Sequence, residues 1–191
     1  TVCEKHLDFL ENAEGYKIEK KLLNGKYSFH MKNYEKAHNE LIQLMEGSEP
    51  PQVFVQARRE GALLLFASTL ILYSDHPTAL RRTLETIQRD IDRSGERIFS
   101  QIILLLEGKE ENLLQHEDTK ACMDSFSALL KLILESGEFD LFEKLLYIYN
   151  HIDSPRVLLS LAEIYMECGF CRLSAATVLR SARELDMIDS A

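Results

Sequence analysis

The residues best suited to chemistry are the two cysteines of a Cys-x-x-Cys pair, Cys168 and Cys171. Such a pair can exchange disulfides or bind a metal, because both sulfur atoms reach one partner. One pair supplies only half of a zinc site, and a redox-active pair usually follows a strand, whereas the residues before Cys168 have a helical pattern. We therefore interpret both cysteines as half-buried side chains beside a turn at Gly169.

No other group of residues forms a recognisable catalytic or metal-binding motif. Cys3 and His6 are spaced as two ligands on one helical face could be, but no further ligands lie nearby in the sequence. Ser74, Asp75 and His76 are consecutive, so they cannot align as a nucleophile, a base and an orienting acid. The sequence contains no HExxH, GxSxG or GxxxxGK motif. We expect no catalytic residue, no metal and no cofactor in this segment.

Arginines recur along one predicted helix and the segment that follows it, at Arg82, Arg89, Arg93 and Arg97. A stripe of guanidinium groups could bind a carboxylate or a phosphate. Acidic residues are interleaved with these arginines, and Glu85 lies four residues before Arg89, which also fits an ion-paired face in solvent. Arg58 and Arg59 are expected to lie on the outward face of a core helix.

The pattern of apolar residues predicts the elements that hold these side chains. Hydrophobic residues make up 46% of the 191 residues and charged residues 28%, as in ordinary globular domains. Apolar residues recur three and four apart with no sustained alternation, so the sequence predicts an all-α fold. The longest apolar run, residues 61–73, is too short to span a bilayer and predicts a buried helix.

The same periodicity predicts nine or ten helices, with glycines and prolines between them. Gly95 is expected to break the pattern between two of these helices. The polar stretch 109–118 is expected to be a flexible, protease-sensitive loop. The predicted helices cover about residues 2–12, 16–31, 34–45, 52–73, 78–93, 96–106, 119–135, 139–150, 155–167 and 170–185.

The spacing within the last helix pair resembles a tetratricopeptide repeat. Six residues fall at relative positions 4, 7, 8, 11, 15 and 20 of that pattern: Leu158, Leu161, Ala162, Tyr165, Gly169 and Ser174. The family has small residues at positions 8 and 20, where its two helices touch, and Ala162 and Ser174 occupy them here. Gly25 and Ala37 take the same two positions in the first hairpin.

The pair around Gly137 keeps the turn glycine and Phe139, but it has Phe142 where the pattern has a small residue. Gly137 and Gly169 are 32 residues apart, close to the family period of about 34 residues. The resemblance implies a single repeat domain over residues 1–191, folded as an α-α superhelix of antiparallel hairpins. Residues 52–108 keep the helix pairing without the motif.

The repeat resemblance also implies a function, because such arrays bind proteins or peptides in a groove lined by the first helix of each pair. The residues expected on that wall are Lys26, Phe29, His30, Arg156, Leu159, Glu163, Met166 and Glu167. Their mixture of apolar and charged side chains suits a partner segment that carries both. We expect a non-catalytic scaffold whose partner is a protein or peptide segment.

A second resemblance concerns residues 160–191, which are similar to the repeat region that follows the catalytic domain in some bacterial family 2 glycosyltransferases. It implies an accessory domain that handles the acceptor or mediates oligomerisation, with the enzyme activity outside this segment. The sequence begins at Thr1 and not at a methionine, so we expect a piece of a longer protein. A third alternative is a homodimer, formed through Val178, Leu179, Ala182 and Leu185 of the last helix.

Charge and cysteine content exclude one class of partner and favour one compartment. The formal net charge is −9, and residues 101–191 hold 8 basic and 16 acidic side chains. Nucleic acid is not an expected partner, because duplex binding needs clustered lysine and arginine. Four cysteines in 191 residues are too few for a disulfide-rich secreted domain, so we expect a reducing, cytoplasmic location.

Overall fold

A computed structural model describes residues 17–46, 55–109, 119–150 and 155–189. These ranges contain nine helices and no strand, which confirms the predicted all-α fold of nine or ten helices. The described residues do not include the predicted helix at 2–12, which carries Cys3 and His6. They also do not include residues 110–118 of the predicted loop. The helices are α1 Lys17–His30, α2 Tyr34–Met45, α3 Val55–Tyr73, α4 Pro77–Ile87, α5 Arg93–Leu106, α6 Thr119–Ser136, α7 Phe139–Asn150, α8 Pro155–Glu167 and α9 Cys171–Asp189.

Helix α5 begins earlier than the sequence predicts. Gly95 was expected to separate two helices, but it lies in the first turn of α5, which starts at Arg93. The Asp92 side chain caps this turn, because its Oδ1 accepts a hydrogen bond of 2.7 Å from the Gly95 N–H. A glycine is tolerated there since the cap fixes the backbone of the first turn. The preceding helix, α4, ends at Ile87.

Contacts divide the chain into two compact units, Thr1–Glu96 and Arg97–Ala191. In the first unit, α3 packs against α1, α2 and α4. All but one of residues 61–70 of α3 are buried, which confirms the predicted buried helix and is typical of a helix that is apolar on every side. Gly61 lets α2 approach closely, because a Cβ there would lie 2.7 Å from Leu44 Cδ2 and 2.8 Å from Met45 Cε.

Arg58 is buried in this unit, with 8% of its surface exposed, so the expectation that it faces outward is wrong. Its Nε and Nη2 donate to the two carboxylate oxygens of Asp90 at 2.5 and 2.8 Å. Its Nη1 and Nη2 also donate to the carbonyl oxygens of Leu44 and Met45 at 3.3 and 3.0 Å. Arg58 is buried because these partners satisfy the guanidinium group.

The second unit has its own apolar core. Helix α6 packs against α7 and α8, and α8 packs against α9. The fully buried apolar residues of α6 and α7 include Phe126, Leu129, Leu130, Ile133 and Leu145. Ala162 of α8 and Ser174 of α9 are both buried, and Ser174 Oγ donates a hydrogen bond of 2.7 Å to the Ala162 carbonyl oxygen. Small side chains therefore bring the backbones of α8 and α9 close together.

Three helix pairs are joined by the same main-chain turn, at Lys32, Gly137 and Gly169. Each of these residues has a positive φ, of 58°, 81° and 84° respectively. In each case its N–H and the next N–H donate to two carbonyl oxygens of the last turn before it, the pattern of a Schellman cap. The residue after it then accepts the first hydrogen bond of the following helix. The three turns thus end one helix and start the next with only two or three residues between them.

Candidate protein-binding surface

Four of the predicted wall residues lie together on the exposed face of α8. Leu159, Glu163, Met166 and Glu167 are all exposed, Leu159 by 42% and Met166 by 54%. They follow one another at intervals of 4, 3 and 1, which places them on one side of the helix. We call this set the α8 stripe. Arg156 lies in the first turn of α8, and its side chain is outside the described part of the chain.

The face of α8 opposite the α8 stripe packs in the core, and this packing holds the helix in place. Val157, Leu161 and Ile164 are buried there. Glu167 of the stripe accepts from Lys131 Nζ of α6 at 2.5 Å. This hydrogen bond to Glu167 raises the pKa of Lys131, and the pair connects the end of α8 to α6 at the surface. The stripe therefore combines two apolar side chains and two carboxylates on a rigid helix.

The predicted wall residues of α1 have different environments. Phe29 is only 3% exposed and contacts the Tyr34 ring edge-on at a centroid distance of 5.3 Å, so it is a core residue and not a surface contact. Lys26 forms an ion pair with Glu60 of α3, and His30 is exposed. Leu23 is an exposed apolar residue of this helix that was not among the predicted wall residues. Leu23, Lys26 and His30 are spaced three and four apart, which is the signal that could have identified this face.

Helix α9 exposes a stripe of basic and apolar side chains. Arg172, Ala176, Leu179 and Arg183 are all exposed, Leu179 by 62%, and follow one another at intervals of 4, 3 and 4. We call this set the α9 stripe. Val178, Leu179 and Ala182, which were predicted to form a dimer surface, are all exposed, whereas the Leu185 side chain is outside the described residues. The two arginines that flank Leu179 were not part of that prediction.

The Cys-x-x-Cys pair lies at the turn between α8 and α9. Cys168 is half-buried, as predicted, but Cys171 in the first turn of α9 is exposed, and both thiols are free. Burial, followed by the nearby Glu135 carboxylate, raises the pKa of the Cys168 thiol. Burial therefore keeps Cys168 in its neutral thiol form, which is neither a good nucleophile nor a good metal ligand.

The structure also locates the other polar residues that the sequence brought to attention. Ser74, Asp75 and His76 form the junction between α3 and α4, and the His76 carbonyl oxygen accepts from the Ala79 N–H at 2.9 Å. The predicted helix 78–93, which was expected to carry Arg82, Arg89 and Arg93, is too long, because α4 ends at Ile87 and Arg93 begins α5. No group of three or more histidine, cysteine, aspartate or glutamate side chains in the described part could hold a metal ion.

Comparisons with known proteins give no family for this chain. No protein-family model, no curated protein and no solved structure matches it. Among the described helices, none is both long and apolar enough to cross a membrane.

Proposed function

We propose that this chain is a non-catalytic protein-binding scaffold of tetratricopeptide-like hairpins, whose α8 stripe binds a partner segment that carries apolar and basic side chains. The observation that carries the proposal is the composition of the stripe. Leu159 and Met166 are large apolar side chains exposed to water, and Glu163 and Glu167 lie beside them on the same face. Large apolar side chains grouped at a surface are typical of interaction sites.

Two packing features support the repeat architecture. The family resemblance implies that paired helices touch at small residues, and both hairpins that carry the motif have such contacts. A Cβ on Gly25 would lie 2.7 Å from Leu41 Cγ of α2. Ser174 donates to the backbone of Ala162. The recurrence of one turn at Lys32, Gly137 and Gly169 also supports hairpins that repeat.

The mechanism follows from the rigidity of α8. Its core face fixes the helix before a partner arrives, so binding costs little ordering of the receptor. The partner's apolar side chains would bury the surfaces of Leu159 and Met166, and the flexible thioether of Met166 can adapt to different shapes. The two carboxylates would attract basic side chains, which speeds association and fixes orientation.

The test is a binding titration with a designed amphipathic helical peptide that carries leucine and arginine on one face. We expect the intact chain to bind this peptide and to bind a matched peptide, with glutamate in place of arginine, at least about tenfold more weakly. Glu163→Lys should weaken binding of the arginine peptide by about five- to tenfold, because it replaces attraction with repulsion.

The matched control is Glu143→Lys, which makes the same charge change at an exposed position of α7. It should leave the affinity within about twofold of the unmodified chain, since it lies outside the α8 stripe. Equal affinity for the arginine and glutamate peptides, or an equal effect of Glu143→Lys and Glu163→Lys, would show that the α8 stripe is not the binding surface.

A further inference from the structure

In residues 171–183 of helix α9, where the structure describes the side chains, the buried side chains are polar and the large apolar side chains are exposed. Ser174 and Ser181 are buried against the rest of the unit. Leu173, Val178 and Leu179 are 50%, 44% and 62% exposed. An amphipathic helix normally buries its apolar side. The described part of α9 therefore presents an apolar surface that a partner could cover.

The chemistry of the α9 stripe complements that of the α8 stripe. Arg172 and Arg183 flank Ala176 and Leu179, so the stripe is basic at both ends and apolar between them. The α8 stripe has two carboxylates next to two large apolar side chains. At about 1.5 Å per residue, the α9 stripe extends about 16 Å along its helix and the α8 stripe about 12 Å, so their lengths are compatible.

The two stripes of one chain cannot pair with each other. Ser174 of α9 faces α8, as its hydrogen bond to Ala162 shows. The residues of the α9 stripe lie half a turn away from Ser174 and Ser181 and point away from α8. Contact between the two stripes therefore requires two molecules.

We propose that the partner of the α8 stripe is the α9 stripe of a second copy of this chain, so that copies associate head to tail. The inference rests on the proposed function of the α8 stripe and names its occupant. Leu179 packs against Leu159 and Met166 of the neighbouring copy, and the two arginines pair with Glu163 and Glu167. The contact joins different surfaces, so it adds copies until a ring closes or a filament forms.

Charge exchange between the stripes tests the proposal by sedimentation velocity. The acid-reversed variant carries Glu163→Lys and Glu167→Lys, and the base-reversed variant carries Arg172→Glu and Arg183→Glu. We expect the unmodified chain to associate at micromolar concentrations, and each variant alone to associate at least about tenfold more weakly. A mixture of the two variants should associate as the unmodified chain does, because each stripe then meets one of opposite charge.

Two controls separate this effect from changes in fold or in total charge. Asp140→Lys with Glu143→Lys adds the same charge at exposed positions of α7 and should leave association unchanged. Lys131→Met removes the ion pair with Glu167 but keeps the acidic stripe, so it too should associate. Circular dichroism must show the same helical content for every variant.

Three results would overturn the proposal. The first is a chain that stays monomeric at all concentrations up to about 0.2 mM, where even a weak specific contact is populated. The second is association that survives both charge reversals, and the third is a mixture of the two variants that stays monomeric.

The designed peptide distinguishes failure of this proposal from failure of the proposed function. If the peptide binds the α8 stripe while the chain stays monomeric, the stripe binds a different partner. If the peptide does not bind, the function proposed for the stripe is itself wrong.

Discussion

Arg58 joins three parts of the first unit through one side chain. Its guanidinium group bonds to the end of α2, through the Leu44 and Met45 carbonyl oxygens, and to Asp90, beyond the end of α4. A cation beside the carbonyl end of α2 also interacts favourably with the helix dipole. The hydrogen bonds to Asp90 raise the pKa of Arg58, so this side chain stays charged although it is buried.

Removal of this cation should destabilise the protein strongly. Arg58→Met keeps the apolar stem but leaves the Asp90 carboxylate without its cation, and we expect the free energy of unfolding to fall by about 3–5 kcal/mol. Urea denaturation followed by circular dichroism measures the change. The neighbouring Arg59 is exposed, so Arg59→Met should change stability by less than about 0.5 kcal/mol. Similar effects of the two substitutions would contradict the structural role of the buried pair.

At the scale of elements, the shared turn has one exception to its residue preference. Gly137 and Gly169 adopt the left-handed conformation at little cost, but Lys32 adopts it with a Cβ atom present. The Asn33 side chain after it accepts from the Lys36 N–H at 3.2 Å and caps α2. The cap and the packing of α1 on α2 thus hold Lys32 in an unfavourable backbone conformation.

Glycine at this position should therefore stabilise the protein. Lys32→Gly removes the Cβ atom, and we expect the free energy of unfolding to rise by about 0.5–1 kcal/mol. Lys32→Ala is the matched control, because it removes the charge and keeps the Cβ atom, so it should give no such gain. Thermal unfolding of both variants measures the difference. An equal gain for alanine would mean that the lysine charge, and not the backbone conformation, is unfavourable.

The elements that the sequence predicts well are those with local signals. The bounds of α2, α7 and α8 agree with the predicted ranges 34–45, 139–150 and 155–167. Asn33, Gly137 and Pro155 lie at or just before the first residues of these helices and mark where each one begins.

The burial of Arg58 was missed, because its partner Asp90 lies 32 residues away and no local pattern reveals that contact. The repeat register places Phe29 on the groove wall, but in the structure Phe29 is buried in the core and Leu23 is exposed on α1 instead. The exposed residues of α8 were predicted from the repeat positions, and the arginines of the α9 stripe were missed because only apolar residues of that helix were considered.

At the scale of the whole molecule, each compact unit has its own core. Leu65 of α3 and Leu130 of α6 are fully buried, one in each unit. A core substitution acts mainly on the residues packed around it, so damage to one core should first affect its own unit.

Native-state hydrogen exchange tests this separation. Leu65→Ala and Leu130→Ala should each remove about 2–5 kcal/mol of stability through the cavity that forms. We expect Leu65→Ala to speed amide exchange in α1 to α4 and to leave α6 to α8 close to their original rates. Leu130→Ala should give the opposite distribution. Equal acceleration in all these helices after either substitution would mean that the chain unfolds as one cooperative body.

The repeated turn also bears on how such a chain can evolve. Its hydrogen bonds are formed by the main chain, so the same joint forms wherever a residue tolerates a positive φ. Deletion of residues 138–169 would place Phe170 directly after Gly137 and recreate that joint between α6 and α9. Duplication of the same 32 residues would insert one more helix pair between identical joints. Descendants of this gene can therefore gain or lose two helices at a time, with no new loop to be selected at each step.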